Sequence, residues 1–325
     1  MATRKLLVYY AWSRPQETAA PLAVIENRFP ALFESRRMGY PRYEAFADGE
    51  RFDQGIGGFL DCIMRRNFTA FVELAGVLTG QPVAEIERVT ADGTLTRLEA
   101  GLLERFDTLV IISFDSLRTQ QQAGDAEVEA VRQFLSRPDN LVFVGPHHDI
   151  GATPALPHDE RLALQLADFL HHGDRTIPPC QQFGGYARTL LASLGVPVTN
   201  RFGLRPAATA DGAPAPIEVA AALDRLALLD GVDTFNLHPH LPHLERQGAA
   251  LDKLDVLARQ RIDPTAPPHP FANAHASFDA LLQSRVEAFG GTLLVGDATL
   301  WSSTAGGVES LQRLWTNVLQ RRQQA

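Results

Sequence analysis

Short apolar runs that alternate with longer amphipathic segments constrain the fold of this chain more than any other feature. The runs are rich in residues that favour strands, and they end at polar residues, prolines or glycines, as buried strands do. The segments between them place apolar residues three and four positions apart, which is the pattern of a helix with one buried face. Strands that alternate with helices predict a mostly parallel sheet with helices on both faces.

These patterns predict the elements along the whole chain. The strands are residues 5–12, 107–113, 140–145, 232–238 and 292–297, and the helices are residues 21–37, 55–78, 126–135, 159–172, 185–194, 277–289 and 308–320. Two proline-rich loops, at residues 207–216 and 263–270, do not separate halves that each look complete. We therefore predict one α/β domain over residues 1–325, in which residues 151–290 form an insertion or cap before the last strand.

Composition and charge limit the kind of partner. Of 325 residues, 45% are hydrophobic and 21% are charged, which is ordinary for a globular protein. The 30 basic and 38 acidic residues give a net charge of -8, which argues against nucleic acid or an anionic membrane as a partner. We expect a small-molecule substrate, and self-association as a homo-oligomer stays open. Two cysteines without metal or disulfide spacing, and no signal peptide or membrane-spanning stretch, favour a cytoplasmic location.

The motif that ends the third predicted strand is the most informative one. It reads FVGPH over residues 143–147, and the last strand continues into GDATLWS over residues 296–302 before an amphipathic helix. This pattern resembles the class I glutamine amidotransferase-like superfamily and, within it, the ThuA-like branch, in which a Gly-x-His turn replaces the Gly-x-Cys elbow. The resemblance covers residues 1–12, 100–150 and 290–322.

The resemblance implies a flavodoxin-like sheet with a site at the strand-to-helix elbow. Because His147 stands where the nucleophilic cysteine would be, it does not imply glutaminase activity. The glycine-rich residues 54–58 follow no clear strand and lack the rest of a dinucleotide fingerprint, so we expect no nucleotide cofactor.

Histidines and carboxylates collect at the predicted strand ends. His147, His148 and Asp149 follow one strand, His238 and His240 end another, and Asp297 ends the last. In open parallel sheets, ligands bind beyond the carboxyl ends of the strands. We therefore expect both histidine clusters to line one cleft, with ring centroids within about 12 Å of one another.

Each of these groups has a predicted role. His147, His148 and Asp149 are the candidate catalytic residues, because imidazole and carboxylate are the commonest acid–base groups. Arg14 ends the first predicted strand, where a guanidinium can bind an anionic substrate group, and Asp297 is the second candidate substrate-binding residue.

A proline-braced run supplies the candidate metal ligands. If the strand over residues 232–238 stays extended, His238 and His240 share one face, and His243 follows within one turn. Such a set suits a divalent metal, zinc or iron. The alternative interpretation is a polar loop without metal.

Two functions from different classes fit these residues. The first is an enzyme, a hydrolase or lyase acting on a small polar metabolite through the histidine-rich site. The second is a non-catalytic member of the superfamily that binds a ligand or a subunit at the same rim. The resemblance alone also suggests a third function, a metal-free acid–base enzyme that acts on a carbohydrate.

Overall fold

Ten strands organise the residues that the structure describes, which are 4–19, 65–150, 156–172 and 181–321 of a computed structural model. They are β1 (Leu6–Ser13), β2 (Ala84–Val89), β3 (Thr108–Ser113), β4 (Leu141–Pro146), β5 (Val198–Leu204), β6 (Glu218–Val219), β7 (Leu241–Arg246), β8 (Leu254–Arg261), β9 (Ser277–Ser284) and β10 (Thr292–Gly296). Eight of them form one sheet, and β5 pairs with β7 in a separate two-stranded sheet.

The large sheet has a parallel part and an antiparallel part. Its spatial order is β2-β1-β3-β4-β10-β9-β8-β6. The first five strands in this order pair in parallel, whereas β9, β8 and β6 pair antiparallel. The predicted α/β class and mostly parallel sheet are confirmed, and the antiparallel strands make the sheet mixed. Residues 151–290 supply β8 and β9, so this segment extends the sheet.

Helices connect these strands. They are α1 (Arg14–Thr18), α2 (Thr69–Thr79), α3 (Ala100–Leu103), α4 (Asp125–Leu135), α5 (His158–His172), α6 (Gly185–Ser193), α7 (Ala250–Lys253), α8 (Pro270–Ala274) and α9 (Val308–Gln320). Within the part of the chain just delimited, no helix is long and apolar enough to cross a membrane.

Alternate side chains of β1 are buried on opposite faces of the sheet, because side chains in a strand alternate with a period of two residues. Val8 and Tyr10 belong to the core that includes α2 and α9. Leu7 and Tyr9 belong to the core that includes α4 and α6. Both faces are therefore covered by helices, as predicted, and this is why the central strands are apolar throughout.

Two predicted elements are wrong, and both errors have a physical cause. Residues 232–238 form no strand, and only Thr234 makes an isolated bridge, to Pro216. Side-chain hydrogen bonds hold this segment in place of the backbone hydrogen bonds of a strand. The Asn236 amide donates to the Thr299 carbonyl at 2.8 Å. Residues 277–289 are predicted as a helix, but they begin with the strand β9. Its Leu281 and Leu282 enter opposite cores, so a continuous apolar run here marks a strand buried on both faces.

Two predicted helices lie wholly or partly outside the residues that the structure describes. The helix at residues 21–37 lies outside the described residues, and so does the first part of the helix at residues 55–78. The end of the helix predicted over residues 55–78 is confirmed, because α2 covers Thr69–Thr79.

Close packing around Gly145 gives a test of the sheet's carboxyl edge. A Cβ at this position would lie 3.0 Å from the Ala298 Cα and 3.1 Å from the Ile111 carbonyl oxygen. Because both are backbone atoms, Gly145→Ala should lower the free energy of unfolding by about 1–3 kcal/mol, measured by urea denaturation. Gly101→Ala, which meets nothing within 4 Å, is the matched control and should not destabilise the protein. Equal stability of the two variants would contradict this packing.

Candidate functional site

The carboxyl edge of three neighbouring strands forms the site. Phe114 follows β3, His147 follows β4 and Asp297 follows β10. Parallel pairing of these strands holds the three side chains together, and the His147 backbone N–H donates to the Ser113 carbonyl at 3.3 Å. The site therefore lies where ligands bind in open α/β sheets.

The two predicted histidine clusters meet at this edge. The ring centroids of His147 and His238 are 4.9 Å apart, and those of His148 and His240 are 5.5 Å apart. His147 and His148 are 4.1 Å apart, and His238 and His240 are 5.4 Å apart. The two distances between the clusters, 4.9 and 5.5 Å, are far below the expected limit, so the predicted meeting of the two clusters is confirmed.

Three of these rings can share one metal ion. One ring nitrogen each of His147, His148 and His238 lies within 4.8 Å of the other two. His240 lies beside this group and is half-buried. His243 lies in β7, where its Nδ1 accepts a hydrogen bond from the Asp279 backbone N–H at 3.2 Å. The set brought together thus differs from the predicted His238, His240 and His243, because residues 232–238 do not continue as a strand.

A buried carboxylate fixes the orientation of His147. Asp297 Oδ2 lies 3.0 Å from His147 Nδ1, and Oδ1 accepts from the Thr299 backbone N–H at 2.8 Å. Burial alone raises the pKa of Asp297, but the His147 ring and its hydrogen bond hold that pKa below its ordinary value. An ionised carboxylate can only accept, so this hydrogen bond requires a proton on His147 Nδ1 and leaves Nε2 as the ring nitrogen available to a ligand.

His238 is held as a neutral imidazole. Burial and, to a smaller extent, the neighbouring His147 lower its pKa to about 3, and the charge of Asp297 opposes this shift. Its backbone N–H donates to the Asn236 side chain at 3.0 Å. Within the described part of the chain, the buried Nε2 of His238 has no hydrogen-bond partner. A neutral ring with an unpaired nitrogen is the form that binds a metal ion.

Asp149 lies next to the cluster in an ion pair. Its Oδ2 is 3.0 Å from the Arg188 guanidinium. Burial raises the pKa of Asp149 to about 6, and the charges of Arg188 and Arg201 oppose this rise. The other carboxylate oxygen, Oδ1, is buried and finds no partner among the residues described. This oxygen can accept a hydrogen bond from a ligand.

Arg14 lies in a different ion pair. Its Nε donates to Glu87 of β2 at 2.9 Å, and a second guanidinium nitrogen contacts the same carboxylate. Both side chains are buried. The substrate-binding role of Arg14 stays a prediction.

Two phenylalanines that the sequence analysis missed complete the site. Phe114 stacks on His147 with ring centroids 4.2 Å apart, and Phe183 lies 5.4 Å from His147 and 5.3 Å from His148. Phe114 directly follows a predicted strand, which was a usable signal, whereas nothing in the sequence marks Phe183. Both rings shield the imidazoles from water.

No protein-family model matches this chain, and no curated protein matches it significantly. The resemblance to the ThuA-like branch therefore stays a prediction that rests on the short motifs. Function has to be argued from the chemistry of the site.

A further buried carboxyl, on Asp115, holds the backbone next to Phe183. Its Oδ2 accepts from the Tyr186 backbone N–H at 2.9 Å, and its other oxygen contacts the Ser113 hydroxyl. Burial raises the pKa of Asp115 to about 7, and the Ser113 and Tyr186 hydrogen bonds oppose this rise. In the unfolded chain the pKa of an aspartate is about 3.9.

This difference makes stability depend on pH. The folded protein holds the Asp115 proton more tightly, so this contribution is complete below about pH 4 and is lost as pH rises through about 7. From about pH 5 to about pH 8, the wild-type free energy of unfolding should fall by about 3 kcal/mol more than that of Asp115→Asn. Urea denaturation at both pH values measures this. The exposed Asp252→Asn is the control, and a parallel fall in all three proteins would contradict the assignment.

Proposed function

We propose that this chain is a metal-dependent enzyme, a hydrolase or lyase that acts on a small polar metabolite. The observation that carries the proposal is the convergence of His147, His148 and His238, whose ligand nitrogens lie within 4.8 Å of one another. Three imidazoles with a fourth position left for water are the ligand set of a catalytic zinc site, and imidazole also suits iron(II).

Two features of the site fit a metal ion. The buried Nε2 of His238, for which the described residues offer no partner, would cost free energy in a site without a ligand. The bond between His147 Nδ1 and Asp297 has the geometry by which a carboxylate orients a metal-binding histidine and makes it a better ligand.

We assign the handling of the substrate to the remaining groups. A bound metal would supply a water of lowered pKa. Asp149 Oδ1 can accept a hydroxyl or amino hydrogen of the substrate, while Arg188 holds the other oxygen. Because His147 and His148 serve as ligands in this scheme, we assign proton transfer to His240, whose ring lies 5.5 Å from that of His148.

The strand order supports the predicted fold and family. The parallel strands run in the order β2-β1-β3-β4-β10, which corresponds to the 2-1-3-4-5 order of flavodoxin-like sheets. His147 directly follows β4, at the position where the resemblance places the elbow residue. This agreement supports the proposal of a ThuA-like enzyme in which a histidine replaces the nucleophilic cysteine.

A second candidate function is favoured by one contact. His147 paired with the buried Asp297 is also the arrangement of a histidine general base with an orienting carboxylate. A metal-free acid–base enzyme would use this pair directly. Metal content separates the two candidates, because only the first needs an ion.

The first test is metal content. Protein purified without a histidine tag and then metal-loaded should contain about one equivalent of zinc or iron, and added metal should raise its melting temperature. His238→Ala should hold less than about half an equivalent and lose the metal-dependent rise. His158→Ala, an exposed histidine at the start of α5, is the control and should match wild type. Less than about half an equivalent in metal-loaded wild type would exclude the metal site.

The second test concerns the orientation of His147. Asp297→Asn should weaken metal affinity by about 10- to 100-fold, because the amide cannot hold the His147 ring as strongly as the carboxylate. Competition with a chelator of known affinity measures this change. The exposed Asp252→Asn should leave the affinity unchanged. A variant with lost activity but unaltered metal affinity would favour the metal-free acid–base enzyme instead.

A further inference from the structure

A cavity lies between the two-stranded sheet, the start of β9 and α8, and the four histidines of the cluster do not line it. Its volume is about 590 Å³, which is the size of a site for a small organic ligand. Four rings line it: Phe202, His243, Phe271 and His275. The centroid of Phe271 lies 4.6 Å from that of His243, 4.4 Å from that of His275 and 5.2 Å from that of Phe202.

The backbone at Phe202 is strained. Its φ is 68°, a left-handed conformation that a bulky side chain rarely adopts. The register between β5 and β7 shifts here, since Arg201 pairs with His243 and Leu204 pairs with Leu241. A bulge of this kind re-aims a side chain, and such strain is concentrated at functional positions. Here it turns Phe202 towards the wall of the cavity.

One guanidinium of the cavity is loosely paired. Arg201 lies 3.6 Å from Glu245, beyond hydrogen-bond distance, and the Thr199 hydroxyl donates to the same Glu245 oxygen at 3.1 Å. Glu245 therefore keeps a partner if Arg201 turns to an anionic ligand. By contrast, the other arginine, Arg259, is bound directly to Asp279 at 2.8 Å.

We propose that this cavity is a second binding site, which takes a planar aromatic acid. The rings of Phe202, His243, Phe271 and His275 provide the surface for an aromatic ring, and Arg201 binds the carboxylate or phosphate group. The backbone of Arg201 forms a bridge with Asp149, which directly follows His148. The cavity is thus joined to the histidine site through one stretch of β5.

The test uses 2-naphthoate as the probe, titrated calorimetrically into the full chain. Wild type should bind about one equivalent below about 5 mM. The saturated analogue decahydronaphthalene-2-carboxylate should bind about fivefold more weakly, because its rings are not planar or aromatic and cannot stack. The neutral 2-naphthalenemethanol should bind about tenfold more weakly, because it lacks the charge that Arg201 recognises.

Three variants locate the site. Phe271→Leu and the exposed His275→Ala should weaken 2-naphthoate binding, and Arg201→Gln should abolish the preference for the acid over the alcohol. Arg132→Gln, an exposed arginine of α4, is the matched control and should bind as wild type does. The proposal is overturned if wild type does not bind 2-naphthoate, if the saturated acid binds equally well, or if His275→Ala and Arg201→Gln fold and bind unchanged.

Discussion

The parallel pairing of β4 with β3 on one side and β10 on the other determines where the functional groups of this chain lie. This pairing places His147 beside Phe114 and Asp297, although Asp297 is 150 positions away in sequence. Because β4 is buried on both faces, a shift of one residue in its register would exchange the side chains packed in the two cores and separate His147 from its carboxylate. The core and the site therefore depend on the same ladder of hydrogen bonds.

His238 reaches the site by a different route. The Thr299 hydroxyl contacts Asp297, which orients His147, and accepts from the Asn236 amide at 3.0 Å. Asn236 in turn accepts from the His238 backbone N–H. One chain of polar contacts thus links the His147 ring to the backbone of His238, and a buried network of this kind favours a single geometry.

Much of the fold could be predicted from the sequence. In β1, β3, β4, β10, α4 and α9, the spacing of apolar residues in the sequence matches the side chains that the structure buries. The meeting of the histidine clusters could also be predicted, but the reason given for it holds only for His147 and His148, which follow the parallel strand β4, because residues 232–238 form no strand. The set of candidate metal ligands could not be predicted, because residues 232–238 are held by side-chain hydrogen bonds, which leave no periodic pattern in the sequence. The antiparallel β9 was missed for a related reason: an apolar run buried on both faces looks the same in a helix and in a strand.

The energetics of the cluster argue for a ligand. Without one, His238 Nε2 and Asp149 Oδ1 are buried and lack partners among the described residues, and each such atom costs about 1–3 kcal/mol. That cost is a substantial part of a typical stability of about 5–15 kcal/mol. A purely structural role would be filled better by apolar side chains of similar volume, which need no partner. The proposed metal would give His238 Nε2 the partner it lacks, and a polar group of the substrate would give one to Asp149 Oδ1.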